Sequence, residues 1–389
     1  MKICEHNLCV GCGMCSNICS VNAIQMRIGE NGFVYPVVNV DRCVSCGLCK
    51  KSCPVNNKPV LEDTTKNVYV CWNRNKKIRK NSTSGGVFDL IAKKIMEQNG
   101  VVVGVKWNEK LETVHAVIEK ESDLFAIRGS KYVQSDTGEI YKQVKKYLDD
   151  RRKVLFSGTP CQCHALKLFL KKDYENLFVI DVVCHGVPSQ EMLNKYINEM
   201  TKDTGKVVSG INMRYKAPYW DYCNMQINFG DGSEYSVPTV DDPFFTLFNI
   251  GYSLRNSCHT CQYTNFKRVS DITLMDFWGF IPRNFRMRDY NKGVSGMLIN
   301  SYNGKRMFEQ IASDLIYEES TKEAALKANK SLAESYWLEE DLLNCFWSDY
   351  KKGVSIRKLR DTYVKEPFVI PKNIFWRRLK KKYRWLVKK

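Results

Sequence analysis

Cysteines stand at positions 9, 12, 15 and 19 in "NLCVGCGMCSNICS", and again at 43, 46, 49 and 53 in "DRCVSCGLCKKSCPV". The spacing C-x-x-C-x-x-C-x-x-x-C lets three thiolates from one tight loop hold three irons of a 4Fe–4S cube, while the fourth cysteine reaches the neighbouring cube. The ligand sets therefore cross. Cys9, Cys12, Cys15 and Cys53 serve one cluster, and Cys43, Cys46, Cys49 and Cys19 the other. Gly11, Gly13 and Gly47 suit loops whose backbone must pass close to inorganic sulfur. The proline that usually follows the fourth cysteine is present as Pro54 but replaced by Ser20 in the first run. Zinc sites want four ligands in two separated pairs, and disulfide scaffolds belong to short secreted chains, so neither matches these runs. Two clusters conduct single electrons, and the remaining chain must give them a destination.

With 389 residues and 44% hydrophobic content, the chain has room for two or three domains with ordinary cores. The first candidate ligand arrives at residue 9 with no apolar leader before it, and seventeen cysteines that must stay reduced point to the cytoplasm. No window approaches 18 consecutive apolar residues, so no membrane span is expected. The formal charge of +18 is concentrated at one end: residues 351–389 hold 15 Lys and Arg against Asp361 and Glu366, leaving a nearly neutral body.

The elements that must position the chemistry follow from the pattern. Residues 1–56 read as the two-cluster module, with the cysteine runs as an internal repeat, and the polar stretch 57–67 as a linker. A region over 68–150 then opens with the strand "VYVCW". The run "NSTSGGVFDLIAKKIMEQNG" predicts an amphipathic helix with Val87, Leu90, Ile91 and Ile95 on one face. Strands "VVVGVKW" and "TVHAVI", the loop "RGSKYVQSD" and a helix over 138–149 complete it. Over 151–320 the beat is strand, helix, strand, helix, followed by strand-rich sequence over 207–240 and the strand "DITLMDFWGF". The expected fold class is α+β: a bacterial-type two-cluster ferredoxin module followed by a mixed α/β domain with a β-rich insertion. Residues 321–389 read as a helical, basic extension.

Four further cysteines lie in turn-like settings: Cys161 in "FSGTPCQ", Cys184 in "VVCHGVPS", and Cys258 and Cys261 in "NSCHTCQYTNFKRVSDITLMDFWG". On spacing alone they fit one Cys4 site of zinc or iron–sulfur type, or unrelated buried thiols. These stretches, with "SGG" opening a helix and "RGSKYVQS", stand in this order behind a two-cluster ferredoxin. Over residues 1 to about 320 the sequence thereby resembles the family of beta subunits of coenzyme F-420 hydrogenases and dehydrogenases. The resemblance implies an iron–sulfur flavoprotein in which Cys161, Cys184, Cys258 and Cys261 hold a third 4Fe–4S cluster and FAD is bound nearby. It also implies a hydride acceptor such as a deazaflavin. Clusters move single electrons whereas such acceptors take hydride, and a flavin converts one into the other.

Free backbone N–H groups at a helix start suit a pyrophosphate, which makes Ser84, Gly85 and Gly86 candidate FAD contacts, although a capped helix looks the same. Arg128 and Lys131 are candidate cations for phosphate or reduced isoalloxazine, and solvated loop cations otherwise. Lys131 and Asp276 are the candidate catalytic side chains. Met275 stands before Asp276 where the family often has glycine. His164 and His185 adjoin ligand-type cysteines, where a histidine can hydrogen-bond a cluster or simply occupy a loop. Cys4, Cys71, Cys163, Cys223 and Cys345 read as packing residues.

The terminal run "IFWRRLKKKYRWLVKK" puts Phe375, Leu379, Tyr383 and Leu386 at helical spacing among cations. Such a segment can dock on its own protein, lie on the inner face of the membrane, or receive an acidic ferredoxin. Nucleic acid is disfavoured, since no recognition motif accompanies the charge. The expected function is an oxidoreductase relaying electrons between clusters, FAD and a coenzyme F-420-like acceptor or organic substrate, with an electron-transfer partner protein. The alternative is a non-catalytic electron-transfer adapter.

Overall fold

The computed structural model describes residues 2–59, 62–282 and 287–364, so the basic run after residue 364 lies outside the described residues. At the N-terminus, β1 (Ile24–Ile28) and β2 (Val34–Val38) pair antiparallel and separate the two cysteine runs. Each run ends in a short helix, Met14–Ile18 and Leu48–Lys51, entered through a glycine in the left-handed region: Gly13 at φ 71° and Gly47 at φ 72°. A side chain is disfavoured at that geometry, so the loop-to-helix turn selects glycine.

The body is built on one eight-stranded sheet. Its strands are β3 (Asn67–Asn73), β4 (Val101–Trp107), β5 (Thr113–Ile118), β6 (Val154–Gly158), β7 (Leu177–Val182), β11 (Ile272–Asp276), β12 (Ser295–Ile299) and β13 (Leu315–Ser320). Their spatial order is β13-β3-β12-β11-β7-β6-β4-β5, and the four central strands β11, β7, β6 and β4 run parallel. Helices cover both faces of such a centre, so its strands read as continuous apolar runs, as "VLF" in β6 and "LFVI" in β7 do. A second sheet, β10-β9-β8, is antiparallel and comprises β8 (Val208–Tyr219), β9 (Tyr222–Phe229) and β10 (Glu234–Pro238), the expected β-rich insertion.

Two sequence boundaries look different in three dimensions. The break at residue 150 falls inside one sheet, because β3, β4 and β5 before it and β6, β7, β11, β12 and β13 after it are strands of the same eight. The stretch 57–67 is no free tether: Thr64 Oγ1 donates to the carbonyls of Phe266 and Arg268, and Thr65 Oγ1 to Asn300 Oδ1 at 2.9 Å. The expected helix after "SGG" runs Val87–Met96 and buries Val87, Ile91 and Ile95, with Leu90 only partly covered. Strands β12 and β13 and the helix Pro243–Ile250 were not read from the sequence. In the last region the described helices are Lys322–Ala328, Glu340–Lys351 and Ile356–Tyr363, the last two packing through Phe346, Trp347 and Leu359 into the core beneath the second sheet. No helix among the described residues is long and apolar enough to cross a membrane.

Candidate functional site

In parallel α/β sheets, ligands bind beyond the carboxyl ends of the strands, where successive loops diverge. Three loops here carry chemistry to that edge. After β6, Thr159 caps the helix Pro160–Leu170 in a reciprocal capping box with Gln162, which fixes Cys161 in the first turn. Cys184 follows β7, and Asp276 ends β11. The fourth contributor is the short turn Asn256–Cys258, tied to the Cys184 loop by the bond from Arg255 N to the Val187 carbonyl. Gly186 is at φ 98°, and a Cβ there would approach the Cys258 Cβ to 3.2 Å, so the two loops meet with no room for a side chain.

All four cysteines line one cavity of about 780 Å³, a volume usual for small-molecule sites. Cys184 lies within electrostatic range of Cys258, Cys161 and Cys261. Burial and this mutual repulsion push the thiols up, Cys161 to about 11 and Cys258 to about 12. A metal that binds them must displace protons, as iron and zinc do. Among the described residues no group of three or more His, Cys, Asp or Glu side chains is arranged to hold a single metal ion.

The N-terminal cysteines sort into two groups. Cys12 neighbours Cys15 and Cys9, and Cys15 neighbours Cys9, Cys53 and, more weakly, Cys49. Cys49 neighbours Cys46 and Cys19. Cys53 of the second run thus lies by the first run, and Cys19 of the first run by the second. Cys9, Cys12, Cys15 and Cys53 are all buried, whereas around buried Cys49 the cysteines Cys19 and Cys43 are half-buried and Cys46 is exposed, so one group is internal and the other approaches the surface. Cys12 also neighbours Cys161, placing the internal group next to the four cavity cysteines. Tyr141 and Tyr263 each feel Cys12 and Cys161 and lie by that junction, with Tyr141 Oη donating to the Cys12 carbonyl at 2.9 Å.

The same cavity takes in Ser84, Gly86, Arg128, Lys131 and Asp276. Gly85 is not among its lining residues. Its N–H donates to Ser295 Oγ and its carbonyl accepts from Asn73 N, so this glycine serves packing: a Cβ would stand 2.7 Å from the Cys71 carbonyl. Gly86, at φ 81°, begins the helix Val87–Met96. The facing loop is stapled to this one by Ser130 N donating to Thr83 Oγ1 at 2.7 Å. Arg128 is no solvated cation. Its Nε donates to Asp89 Oδ1 at 2.9 Å, and Asp89 is itself buried, so the guanidinium charge is already matched. Lys131 Nζ donates to the carbonyls of Ala126 and Arg128, and burial draws its pKa down to about 7.

Asp276 has a partner that the sequence reading missed. Arg214, on β8, donates from Nη1 to Asp276 Oδ2 at 3.0 Å and to Tyr132 Oη at 2.8 Å, while Trp220 Nε1 donates to Asp276 Oδ1 at 3.2 Å. Trp278 stacks on Trp220 with centroids 4.5 Å apart. His164 and His185 bond elsewhere than to the cysteines beside them: His164 Nδ1 pairs with Tyr263 Oη at 2.9 Å and His185 Nδ1 with Ser331 Oγ at 3.2 Å. Burial holds His164 near 4 and hence neutral. Cys163 is fully buried and points to the Ile180 carbonyl, a packing role as expected. Cys4 packs against the core as expected, and its thiol also lies by Cys9 and Cys53, which push its pKa up while theirs fall. No spacing rule marks a cysteine five residues before the first ligand.

Comparison with known proteins matches this layout. Residues 8–57 match the 4Fe-4S dicluster domain, residues 68–142 the N-terminal part of the coenzyme F420 hydrogenase/dehydrogenase beta subunit, and residues 151–324 its C-terminal part. An F(420)H(2) dehydrogenase subunit of Methanosarcina mazei is 25% identical over 282 residues, covering 68% of this chain and 74% of that protein. Among solved structures, a chain of the F420-reducing [NiFe] hydrogenase complex from Methanosarcina barkeri superposes with a TM-score of 0.48 at 15% identity, covering 70% of this chain and 90% of that one. With both parts of the family in sequence behind an iron–sulfur domain, the chain belongs to the family of coenzyme F420 hydrogenase/dehydrogenase beta subunits.

Proposed function

We propose that this chain is an iron–sulfur flavoprotein oxidoreductase with three 4Fe–4S clusters and one FAD, working with a partner protein that delivers or removes electrons. The observation that carries the reading is the position of Cys161: it neighbours Cys12 of the internal N-terminal group and lines the cavity that the Gly86 helix start and Lys131 also line. Cys43, Cys46, Cys49 and Cys19 would hold the outer cluster, Cys9, Cys12, Cys15 and Cys53 the inner one, and Cys161, Cys184, Cys258 and Cys261 the third. Ser84 and Gly86 would receive the flavin's phosphates at the helix start, with Lys131 facing its ring system. Bound there, FAD supplies the exchange between one-electron and hydride chemistry. The chain's own residues exclude water from the junction, hold Lys131 poised near neutrality, and keep the thiols in place. The name of the Methanosarcina mazei relative supports an acceptor of the coenzyme F420 type and service within a larger assembly.

The test is to purify the chain anaerobically, reconstitute it with iron and sulfide, and measure iron, acid-labile sulfide and released flavin per chain. About twelve irons with one FAD is the expected result. About eight irons without flavin overturns the flavoprotein and favours an electron-transfer adapter.

A further inference from the structure

The outer cysteine group lies on a face with no evident structural purpose. Cys46 is exposed there, and in the loop that carries it two valines stand in the open, Val40 at 69% and Val44 at 63% exposure. Val40 and Val44 flank the turn that leads into Cys43. At Gly47 the backbone is bare, for a Cβ added there would meet nothing within 4 Å. Over residues 40–51, which carry Cys43, Cys46 and Cys49, the exposed charges are Arg42, Lys50 and Lys51 against the single acid Asp41. An apolar centre inside a charged rim, of modest extent, is the anatomy of a short-lived protein–protein contact.

We infer that this face docks a small acidic electron-carrier protein, an inference that rests on the proposed function and names its partner. Charge selects this occupant. A second copy would set the same cations against each other, whereas an acidic carrier is steered in and oriented by them. The valines then remove water over the loop nearest the exposed cysteine. One electron passes per encounter, the carrier being oxidised and the chain reduced, with no bond made and no proton moved. The internal cysteine group, buried behind this one, is out of direct reach of such a carrier.

The experiment uses the full chain loaded with iron and sulfide, and a reduced small acidic 2Fe–2S ferredoxin as the probe. Stopped-flow absorbance gives the second-order rate of electron transfer at low and high salt. The K50E/K51E variant is expected to lose about tenfold or more at low salt, with the deficit shrinking as salt rises. The V40S/V44S variant should be slower at every salt concentration. In both, iron content and reduction by dithionite should match the parent, which separates docking from cluster assembly. Equal rates after charge reversal, at unchanged iron content, overturn the docking face while leaving the proposed function intact. A dimer that V40S/V44S dissociates in light scattering reassigns the face to self-association and also overturns the proposal. Failure of the parent to take up iron sinks both readings together.

Discussion

Arg255 Nε donates to the carbonyl of Cys9 at 2.5 Å across 246 residues of sequence, from a guanidinium that is almost wholly buried. Its other nitrogens reach Gln134 Oε1 at 2.9 Å and the Val34 carbonyl at 3.0 Å, and it lies over the rings of Tyr35 and Phe33. Both Cys9 and Cys258 feel its charge, so a fixed cation stands between the inner N-terminal group and the cavity cysteines. A nearby positive charge favours the reduced, more negative state. R255M should therefore lower the potential of the inner cluster by on the order of 60 mV, about tenfold in the equilibrium constant for one electron. R255K keeps the charge and loses hydrogen-bond geometry, so it should retain most of the potential while melting earlier. Potentiometry monitored by electron paramagnetic resonance checks this, and identical potentials in parent and R255M would remove Arg255 from the redox chemistry.

The two cysteine runs were legible because three-residue spacing is a local rule that the fold cannot rewrite. The α/β beat over residues 151–201 was legible for the same reason, its strands being short and its helix caps explicit. What failed was long-range. Asp276 looks like an isolated carboxylate until β8 brings Arg214 to it, 62 residues away in sequence. Arg128 reads as a loop cation until Asp89 meets it, and Asp89 in turn reads as an ordinary acid in the first turn of a helix. The motif "SGG" carried two roles in adjacent residues: Gly85 is required by the Cys71 carbonyl pressing on it, Gly86 by its backbone angle. Sequence gives the glycine and not its reason.

Lys131 offers a pH test. Burial holds its pKa at about 7, below the ordinary 10.5. Between these values the unfolded chain binds a proton that the folded one does not, so this group makes stability rise with pH from about 7 toward 10.5, and its penalty is full below 7. K131M removes that contribution. Anaerobic thermal melts of loaded protein from pH 6 to 9.5 should show the difference between variant and parent changing along this range, most favourable to the variant at the acid end. A second readout is the absorption of bound flavin: a pH-dependent change centred near 7 in the parent should be absent in K131M. A difference in melting that is flat with pH would show Lys131 to be charged throughout.

The pair of Arg214 and Asp276 separates a structural carboxylate from a catalytic one. Both side chains are largely buried, at 7% and 14% exposure. Removing one partner strands the other, which typically costs about 3–5 kcal/mol, whereas replacing both with apolar residues of similar size costs far less. D276A should therefore melt well below the parent, and R214M/D276L should recover most of the loss. The recovered variant tells the roles apart. If it carries normal iron and flavin and still reduces its clusters with dithionite, Asp276 acts by holding the wall formed by Arg214 and the stacked Trp220 and Trp278. A stable D276N variant with full cofactor content and no turnover would instead assign it to the chemistry.

Cys161 and Cys163 occupy one helix two residues apart, yet only Cys161 lines the cavity, while Cys163 is turned into the core against the Ile180 carbonyl. C161A should therefore lose about four of twelve irons, and C163A none. Neither the outer nor the inner group contains Cys161, so the remaining eight irons should keep their spectroscopic signatures. Cys4 supplies the matching control on the other side of the junction. Its thiol lies by Cys9 and Cys53 but is no member of the spacing pattern, so C4A should keep all twelve irons, and C9A should keep part of the inner cluster through Cys4 standing in as ligand. The double variant C4A/C9A should then lose what C9A retains. Iron and sulfide analysis of these five chains decides the assignment: a C161A protein with its full complement of iron would exclude Cys161 as a ligand of the third cluster, because no other described cysteine of the cavity could replace that thiolate.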